Sequence, residues 1–299
     1  MLLTTISQPM SIYATSFRQA VRSQRGLHRL RQIARNCALS VRSVVSRPSD
    51  SPCLRILYCH YVFDDQQRSF DTIVRYLSRI GDLVGVGRVL DVLTERTSLE
   101  RNAFHISFDD GFKNVFTNAL PILQEHGASA TIFVPTSIIS APNDIVERYC
   151  RVTTNYPCTI EMASWDDLEA ACANGFVIGS HTRTHARFSA LSASQVAIED
   201  EIYGSKADIE RHLGKTCDYI SWPYGRSTDA DVKSLRVVEL AGYRACFGAF
   251  RGRIIPRATS RFSIPRHHFE VEWPLSHIKC FVNGAMEAGK VYEAYSSNI

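Results

Sequence analysis

Short apolar runs alternate with amphipathic segments between residues 54 and 270. The apolar runs with β character include LRILYCHYV, AFHISFDD, SATIFVPT and FVIGSHT. Segments such as RSFDTIVRYLSRIG lie between them, with apolar residues every three or four positions and a glycine at the end. This alternation predicts βα units and a parallel sheet, either open or closed into a barrel. In both architectures functional residues lie at the carboxyl ends of the strands.

The first 50 residues differ in charge from the rest of the chain. They contain eight arginines and one acidic residue, a net charge of +7, whereas the other 249 residues carry −3. Apolar residues at helical spacing lie among the arginines. Four hypotheses follow: a solvated leader, a helix on an anionic membrane surface, a partner-binding arm, or a cleaved transit-type peptide. We predict an N-terminal extension and linker at residues 1–53 and a folded domain at 54–299. The mildly acidic body of the domain argues against nucleic acid as a partner.

The cysteine pattern bears on the compartment. Nine cysteines are scattered along the chain without a CxxC pair, which argues against a disulfide framework and a zinc ribbon. The sequence has no apolar stretch long enough for a membrane span or for the core of a secretory signal. We therefore expect a location in the cytoplasm or at the inner face of a membrane, with export as the open alternative.

Polar residues with catalytic potential follow several of the predicted strands. Asp109 and Asp110 end one strand, and the segment GSHTRTH places His181 and His185 four residues apart after another. Two imidazoles at this spacing can bind one divalent metal. With one of the two aspartates they make a three-ligand site that leaves positions open, as in catalytic metal sites. The other aspartate is then free to take a proton from water.

Three motifs, SFDDGF, GSHTRTH and WPYG, occur in this order and resemble the first three motifs of the polysaccharide deacetylase family, also called the NodB-homology domain. Further similarity lies in ILYCHYV, ALPILQEHGASATIFV and EIYGSKADIERHLG, so the resemblance covers residues 54–270. It implies an α/β fold with a distorted or incomplete (β/α) barrel. It also implies metal-dependent removal of N- or O-acetyl groups from carbohydrates, with one divalent ion, zinc before other divalent ions, as the cofactor.

The resemblance also implies roles for individual residues. The implied metal ligands are Asp110, His181 and His185. Asp109 is then the general base. The backbone amide of Tyr224 is expected to hold the oxyanion, in a loop whose shape depends on the fixed φ of Pro223. Residues 54–299 are therefore the expected catalytic domain.

Two departures from the family pattern affect the expected site. Many members carry an arginine shortly before the Pro-Tyr pair, where it orients the base, whereas this chain has Ser221 and Trp222 there. The late motif usually supplies a histidine that acts as general acid. Here the segment IPRHHFE offers His267 or His268, next to Arg266. The residues that we predict to contact substrate are His60, Trp222, Pro223 and Arg266.

The predicted substrate is an N-acetylated polysaccharide, glycolipid or oligosaccharide. One alternative is a deformylase or deacylase that acts on a lipid-linked or small sugar. Another is a non-catalytic glycan-binding scaffold with the same fold. Residues 1–50 are a candidate for contact with a membrane surface. The Pro-containing loop at 150–163 is a candidate insertion over the site.

Overall fold

A parallel β-sheet forms the centre of the protein. The structure is a computed structural model that describes residues 13–20, 26–45, 51–191 and 193–287. The strands are β1 (Leu54–Cys59), β2 (Asp82–Leu83), β3 (Ala103–Phe108), β4 (Ala130–Val134), β5 (Val177–Ser180), β6 (Tyr219–Ser221), β7 (Ala245–Phe247) and β8 (His267–His268). Their order is β7-β6-β5-β4-β3-β1-β8, and every pairing between them is parallel.

The sheet curves into a barrel that does not close completely. β2 pairs with the first half of β3, where Asp82 is opposite Ala103, and β4 takes over from Ile106 onward. At the far side an isolated bridge joins Phe247 of β7 to Ile264, which lies three residues before β8. The predicted incomplete (β/α) barrel is confirmed.

Helices surround the sheet. They are α1 (Phe17–Ala20), α2 (Gly26–Val45), α3 (Gln67–Ile80), α4 (Val86–Leu93), α5 (Leu120–Glu125), α6 (Asn143–Arg148), α7 (Trp165–Ala173), α8 (Phe188–Leu191), α9 (Gln195–Glu199), α10 (Ser205–Leu213), α11 (Val232–Leu240) and α12 (Leu275–Val282). A short 3₁₀ turn covers Asp64–Gln66, and π-helical turns cover Val115–Ala119, Tyr149–Thr153 and Asp200–Gly204.

Local sequence signals set several of these boundaries. Ser164 begins α7 with a capping box: its hydroxyl accepts from the Asp167 amide at 3.2 Å, and the Asp167 carboxylate accepts from the Ser164 amide at 2.8 Å. The amphipathic segment SASQVAIEDEIYGSKADIERHLG predicts one long helix that ends at Gly214, whereas the structure divides it into α9, a π-helical turn and α10. The sequence predicts a strand or an extended segment for FSIPRHHF, residues 262–269, and the structure has there the two-residue strand β8. Pro265 has no N–H to donate, which limits pairing before β8.

The N-terminal extension packs on the domain through α2. The Cys280 thiol of α12 donates to the carbonyl oxygen of Leu39 at 3.0 Å. The Arg35 guanidinium lies 4.3 Å from the centre of the Trp273 ring, within the range of a cation–π contact. The described part of α2 is therefore docked on the domain, which contradicts the solvated-leader hypothesis. The division at residue 53 and the membrane contact remain predictions.

The described helices do not include one with both the length and the apolar character needed to cross a membrane.

A buried ion pair joins β1 to the segment after α12. Arg55 is almost fully buried, and its Nε lies 2.6 Å from Glu287 Oε1. Burial alone would raise the pKa of Glu287, but hydrogen bonds from His267 and Arg55 lower it to about 2. A carboxylate whose pKa is depressed on folding stabilises the protein above its unfolded-state pKa.

We expect Glu287→Gln to remove a pH-dependent part of the stability. The difference in unfolding free energy from the wild type should be full above about pH 5 and shrink as the pH falls through 4.5 towards 2, because the unfolded carboxylate protonates first. Urea denaturation at pH 7, 4 and 2.5 measures this difference. A difference that is equal at all three pH values would contradict the ion pair.

Candidate active site

A small cleft lies at the carboxyl ends of the strands. Its volume is about 120 Å³. His60 follows β1, Asp109 and Asp110 follow β3, His181 follows β5 and Tyr224 lies after β6, and all five side chains line the cleft. The parallel sheet thus brings together residues that are up to 164 positions apart in the sequence.

The backbone around the cleft takes an unusual conformation. Asp110, Thr182, His185 and Tyr224 have φ values of 73°, 65°, 66° and 64°, in the left-handed region that non-glycine residues rarely adopt. Gly111 follows at φ 73°, and a Cβ there would approach Val134 Cγ1 to 2.9 Å. Such strain persists where the surrounding structure imposes it, and it often marks functional sites.

Asp110, His181 and His185 form one cluster of donor atoms. Asp110 Oδ1 lies 3.7 Å from His181 Nε2 and 3.3 Å from His185 Nε2. All three residues are buried. The His181 Nδ1 lies 2.7 Å from the carbonyl oxygen of Ser221. Because that carbonyl can only accept, Nδ1 carries the proton and Nε2 presents its lone pair towards Asp110.

This donor set fits a divalent metal. Burial lowers the pKa of His181 to about 4, so the imidazole is neutral and its Nε2 lone pair faces a carboxylate oxygen. A cation between two electron-rich atoms in that arrangement would attract both of them. In a tetrahedral zinc site, neighbouring ligand atoms lie about 3.3 Å apart, close to the separations of 3.3 and 3.7 Å found here. Two imidazoles and one carboxylate are ordinary zinc ligands.

Two tyrosines fix the carboxylate of Asp110. The Tyr149 hydroxyl donates to Oδ1 at 2.8 Å, and the Tyr156 hydroxyl donates to Oδ2 at 2.9 Å. Both belong to the segment from Tyr149 to Thr159, which also places Thr154 against the cleft. Sequence reasoning indicated this loop as an insertion over the site but missed the two tyrosines. The signal available in the sequence was the presence of tyrosines in this loop, because a phenol hydroxyl can donate a hydrogen bond to a metal-binding carboxylate.

We expect Tyr149→Phe or Tyr156→Phe to weaken zinc binding by about 10–100-fold each, because hydrogen bonds to a metal ligand orient it. Competition with a chelator of known affinity measures the change. Tyr203→Phe is the control, since that tyrosine is exposed on a π-helical turn. Equal zinc affinity in the control and in both other variants would show that the tyrosines do not position Asp110.

Arg266 holds the second aspartate. Its Nη1 lies 2.7 Å from Asp109 Oδ1 and its Nη2 lies 2.7 Å from Oδ2, so the pair is bidentate. Burial alone would raise the pKa of Asp109, but the charge of Arg266 holds it below its usual value. Asp109 is therefore ionised and fixed in orientation.

This arginine corrects two expectations. Arg266 is completely buried and also donates to Ser221 Oγ at 2.6 Å, so it does not contact substrate. It orients the base, the role that the resemblance assigned to an arginine before the Pro-Tyr pair. In this chain the guanidinium reaches Asp109 from the segment just before β8.

The comparison with known proteins agrees with this geometry. A profile of the family described as Polysaccharide deacetylase matches residues 96–246, which include the two aspartates, both histidines of the cluster and the WPYG loop. The chain belongs to the polysaccharide deacetylase family. YxkH of Bacillus subtilis (strain 168), a curated protein named for polysaccharide deacetylases, is 26% identical over 153 residues, or 51% of this chain. This chain matches 47% of the length of that relative.

Solved deacetylases share the fold of this family member. IcaB from Ammonifex degensii aligns with a TM-score of 0.66 at 20% identity and covers 79% of this chain and 100% of its own. The deacetylase PplD of Streptococcus pyogenes, solved with acetate, gives 0.62 at 17% identity, covering 81% and 100%. A de-N-acetylase from Aggregatibacter actinomycetemcomitans gives 0.61 at 19% identity, covering 76% and 99%. At these identities the similarity shows the fold.

The two late histidines, His267 and His268, lie outside the cleft lining. His267 is completely buried, its Nε2 lies 3.1 Å from the carbonyl oxygen of Gly252, and its ring stacks on Phe281. The expectation that His267 acts as general acid is therefore wrong. His268 is partly exposed and lies behind His60, with 5.3 Å between the ring centres. His60 is the histidine of this group that lines the cleft.

The WPYG loop also differs from expectation. Trp222 is completely buried, and its indole N–H donates to the carbonyl oxygen of Arg226 at 3.2 Å. It packs against Phe250 and also lines the cleft, so its contact with substrate stays a prediction. Pro223 is buried too, so both residues shape the loop. Tyr224 is 41% exposed, and the Arg187 guanidinium lies 3.9 Å from its ring centre.

Proposed function

We propose that this chain is a metal-dependent hydrolase that removes an N-acetyl, or O-acetyl, group from a sugar of a polysaccharide or glycoconjugate. The observation that carries the proposal is the pairing of two groups in one cleft. A three-donor cluster at Asp110 lies beside a carboxylate, Asp109, that Arg266 holds ionised. Hydrolysis of an amide needs both an electrophilic site for the carbonyl and a base for the water.

The residues that would hold the metal are Asp110, His181 and His185. A divalent ion bound there supplies positive charge that polarises the acyl carbonyl and makes water more acidic. The hydrogen bond from His181 Nδ1 to Ser221 and those from the two tyrosines to Asp110 fix the ligands in place.

Asp109 takes the proton from the attacking water as its oxygen adds to the acyl carbon. The charge that develops on the acyl oxygen needs a donor, and the Tyr224 backbone N–H is the candidate. It donates no hydrogen bond to the residues that the structure describes, and the positive φ of Tyr224 fixes its direction.

A proton must reach the sugar nitrogen as the C–N bond breaks, so that acetate and a free amine leave. We assign this step to His60, which lines the cleft with Asp109 and Asp110. Its ring packs edge-on against Tyr58 and His268, at 5.6 and 5.3 Å between centres. This replaces the sequence-based assignment to His267 or His268.

The cleft is large enough for the acyl group of the substrate but not for the sugar. A volume of about 120 Å³ is well below the roughly 300–1,000 Å³ of typical small-molecule sites. It has room for an acetyl group, whereas a sugar ring would lie at the mouth. Tyr224, which lines the cleft, is exposed there. The Tyr224 hydroxyl donates to the Thr153 carbonyl at 3.2 Å, which holds the two sides of the mouth together.

The test is acetate release from a panel of sugars by the zinc-loaded protein. N-acetylglucosamine oligomers should release acetate in proportion to the enzyme present. An O-acetylated and an N-formylated sugar compare the acyl alternatives within the same panel. If the protein binds the oligomers but releases no acid from any of these sugars, it is a glycan-binding scaffold and the proposal is wrong.

A further inference from the structure

A second cluster of metal-ligating side chains lies beside the cleft. It consists of His60, His268 and Glu270, which each offer one ligand atom within 4.8 Å of the others. They come from the loop after β1, from β8 and from the segment just beyond it. His268 Nε2 lies 3.1 Å from Glu270 Oε1. Nothing in the proposed reaction uses His268 or Glu270.

This cluster repeats the donor set of the first one. Each has two imidazoles and one carboxylate. The rings of His60 and His268 are 5.3 Å apart at 65°, and those of His181 and His185 are 4.9 Å apart at 71°. The shortest separation between a histidine nitrogen and a carboxylate oxygen is 3.1 Å in this cluster and 3.3 Å in the first one. A set that fits zinc at the first position therefore fits it at the second.

One ligand atom of this cluster, Nε2 of His268, has no well-formed hydrogen bond among the described residues. This nitrogen is buried, and the Glu270 oxygen lies close to it without an aligned hydrogen bond. A buried polar nitrogen left in this way costs free energy. A cation between the nitrogen and the carboxylate would satisfy both atoms.

A separate cavity gives access to the cluster. Its volume is about 340 Å³, and His268, Glu270, Glu272 and Trp273 line it. Glu272 does not belong to the donor set, and its carboxylate accepts from Gln66 Nε2 at 3.2 Å. Arg35 also lines this cavity, so the path to the cluster does not depend on a net negative charge at the entrance.

We propose that His60, His268 and Glu270 bind a second divalent cation, and that its binding switches the deacetylase off. A His60 nitrogen that coordinates a cation cannot donate a proton to the leaving amine. The inhibition rests on the proposed function, whereas the binding site stands on its own geometry. Low zinc then loads the first cluster and activates the enzyme, and higher zinc loads the second and inhibits it.

Zinc equivalents and acetate release, measured together during a zinc titration, test the proposal. The wild type should bind two equivalents at the clusters, and acetate release should rise with the first and fall at least about 10-fold with the second. Glu270→Gln should lose one equivalent and stay active at the zinc concentration that inhibits the wild type. Glu272→Gln, which changes a neighbouring carboxylate outside the donor set, should behave as the wild type. Zinc bound by cysteines is expected to be equal in these two variants, so it does not contribute to the difference between their zinc counts.

The outcomes separate this inference from the proposed function. An equal zinc count in the two variants would overturn the second site and leave His268 and Glu270 as an ion pair. A loss of one equivalent without relief of inhibition would overturn the switch. Absence of acetate release at every zinc concentration would count against the proposed function, while the zinc count still decides the site. His268→Gln is a second ligand variant should Glu270→Gln fail to fold, and circular dichroism checks both.

Discussion

Asp109→Asn should reduce acetate release by about 10²–10⁴-fold, the usual contribution of a general base, while the protein keeps its metal. The amide cannot take a proton from water, whereas Asp110, His181 and His185 are unchanged. KM should change little, because Asp109 faces the water and not the sugar. Steady-state kinetics and metal analysis of the purified variant measure both effects.

Asp110→Asn is the matched comparison, since it makes the same change one residue later. We expect it to lose both activity and metal, because Asp110 Oδ1 faces both histidine nitrogens. If Asp109→Asn also lost its metal, or if it retained full activity, the division of roles between the two aspartates would be wrong.

Arg266→Met should lower the unfolding free energy by about 3–5 kcal/mol, the usual cost of breaking a buried ion pair. Arg266 and Asp109 are both buried, and the pair has two hydrogen bonds of 2.7 Å. Removing the guanidinium leaves Asp109 without its counter-ion. Burial then raises the pKa of Asp109, so activity should fall as well. Urea denaturation at pH 7 gives the stability.

The double variant Arg266→Met with Asp109→Leu separates the ion pair from simple packing. Replacing both buried charges by apolar groups is often neutral or stabilising, so the double variant should be more stable than Arg266→Met alone. A further loss of stability in the double variant would show that the effect of Arg266 does not depend on Asp109. Arg266→Lys adds a test of geometry, because lysine keeps the charge but cannot form two parallel hydrogen bonds.

Local chemistry made much of the fold predictable from the sequence. Strands and helices alternate with clear periods, and short signals such as the Ser164 capping box define helix starts. Because functional residues lie at the carboxyl ends of parallel strands, the sequence alone predicts that Asp109, Asp110 and His181 share one cleft. The π-helical turns were not predictable in this way, because the segment at 200–204 keeps helical periodicity through the turn.

The parts that could not be predicted depend on contacts between distant residues. Arg266 pairs with Asp109 across 157 positions, and no local pattern links them. The tyrosine contacts to Asp110 depend on the path of a loop. The sequence pattern could, however, have excluded His267 as a histidine of the cleft. Alternate residues of a strand face opposite sides, so the inward direction of Arg266 turns His267 away from the cleft.

The most direct test of the account measures acetate release by one enzyme preparation before chelation, after chelation and after zinc is restored. We predict that activity on N-acetylglucosamine oligomers disappears on chelation and returns with one equivalent of zinc. The same treatment should leave Asp110→Asn inactive throughout. Undiminished acetate release from the chelated, metal-free protein would contradict the central claim that Asp110, His181 and His185 hold a catalytic metal.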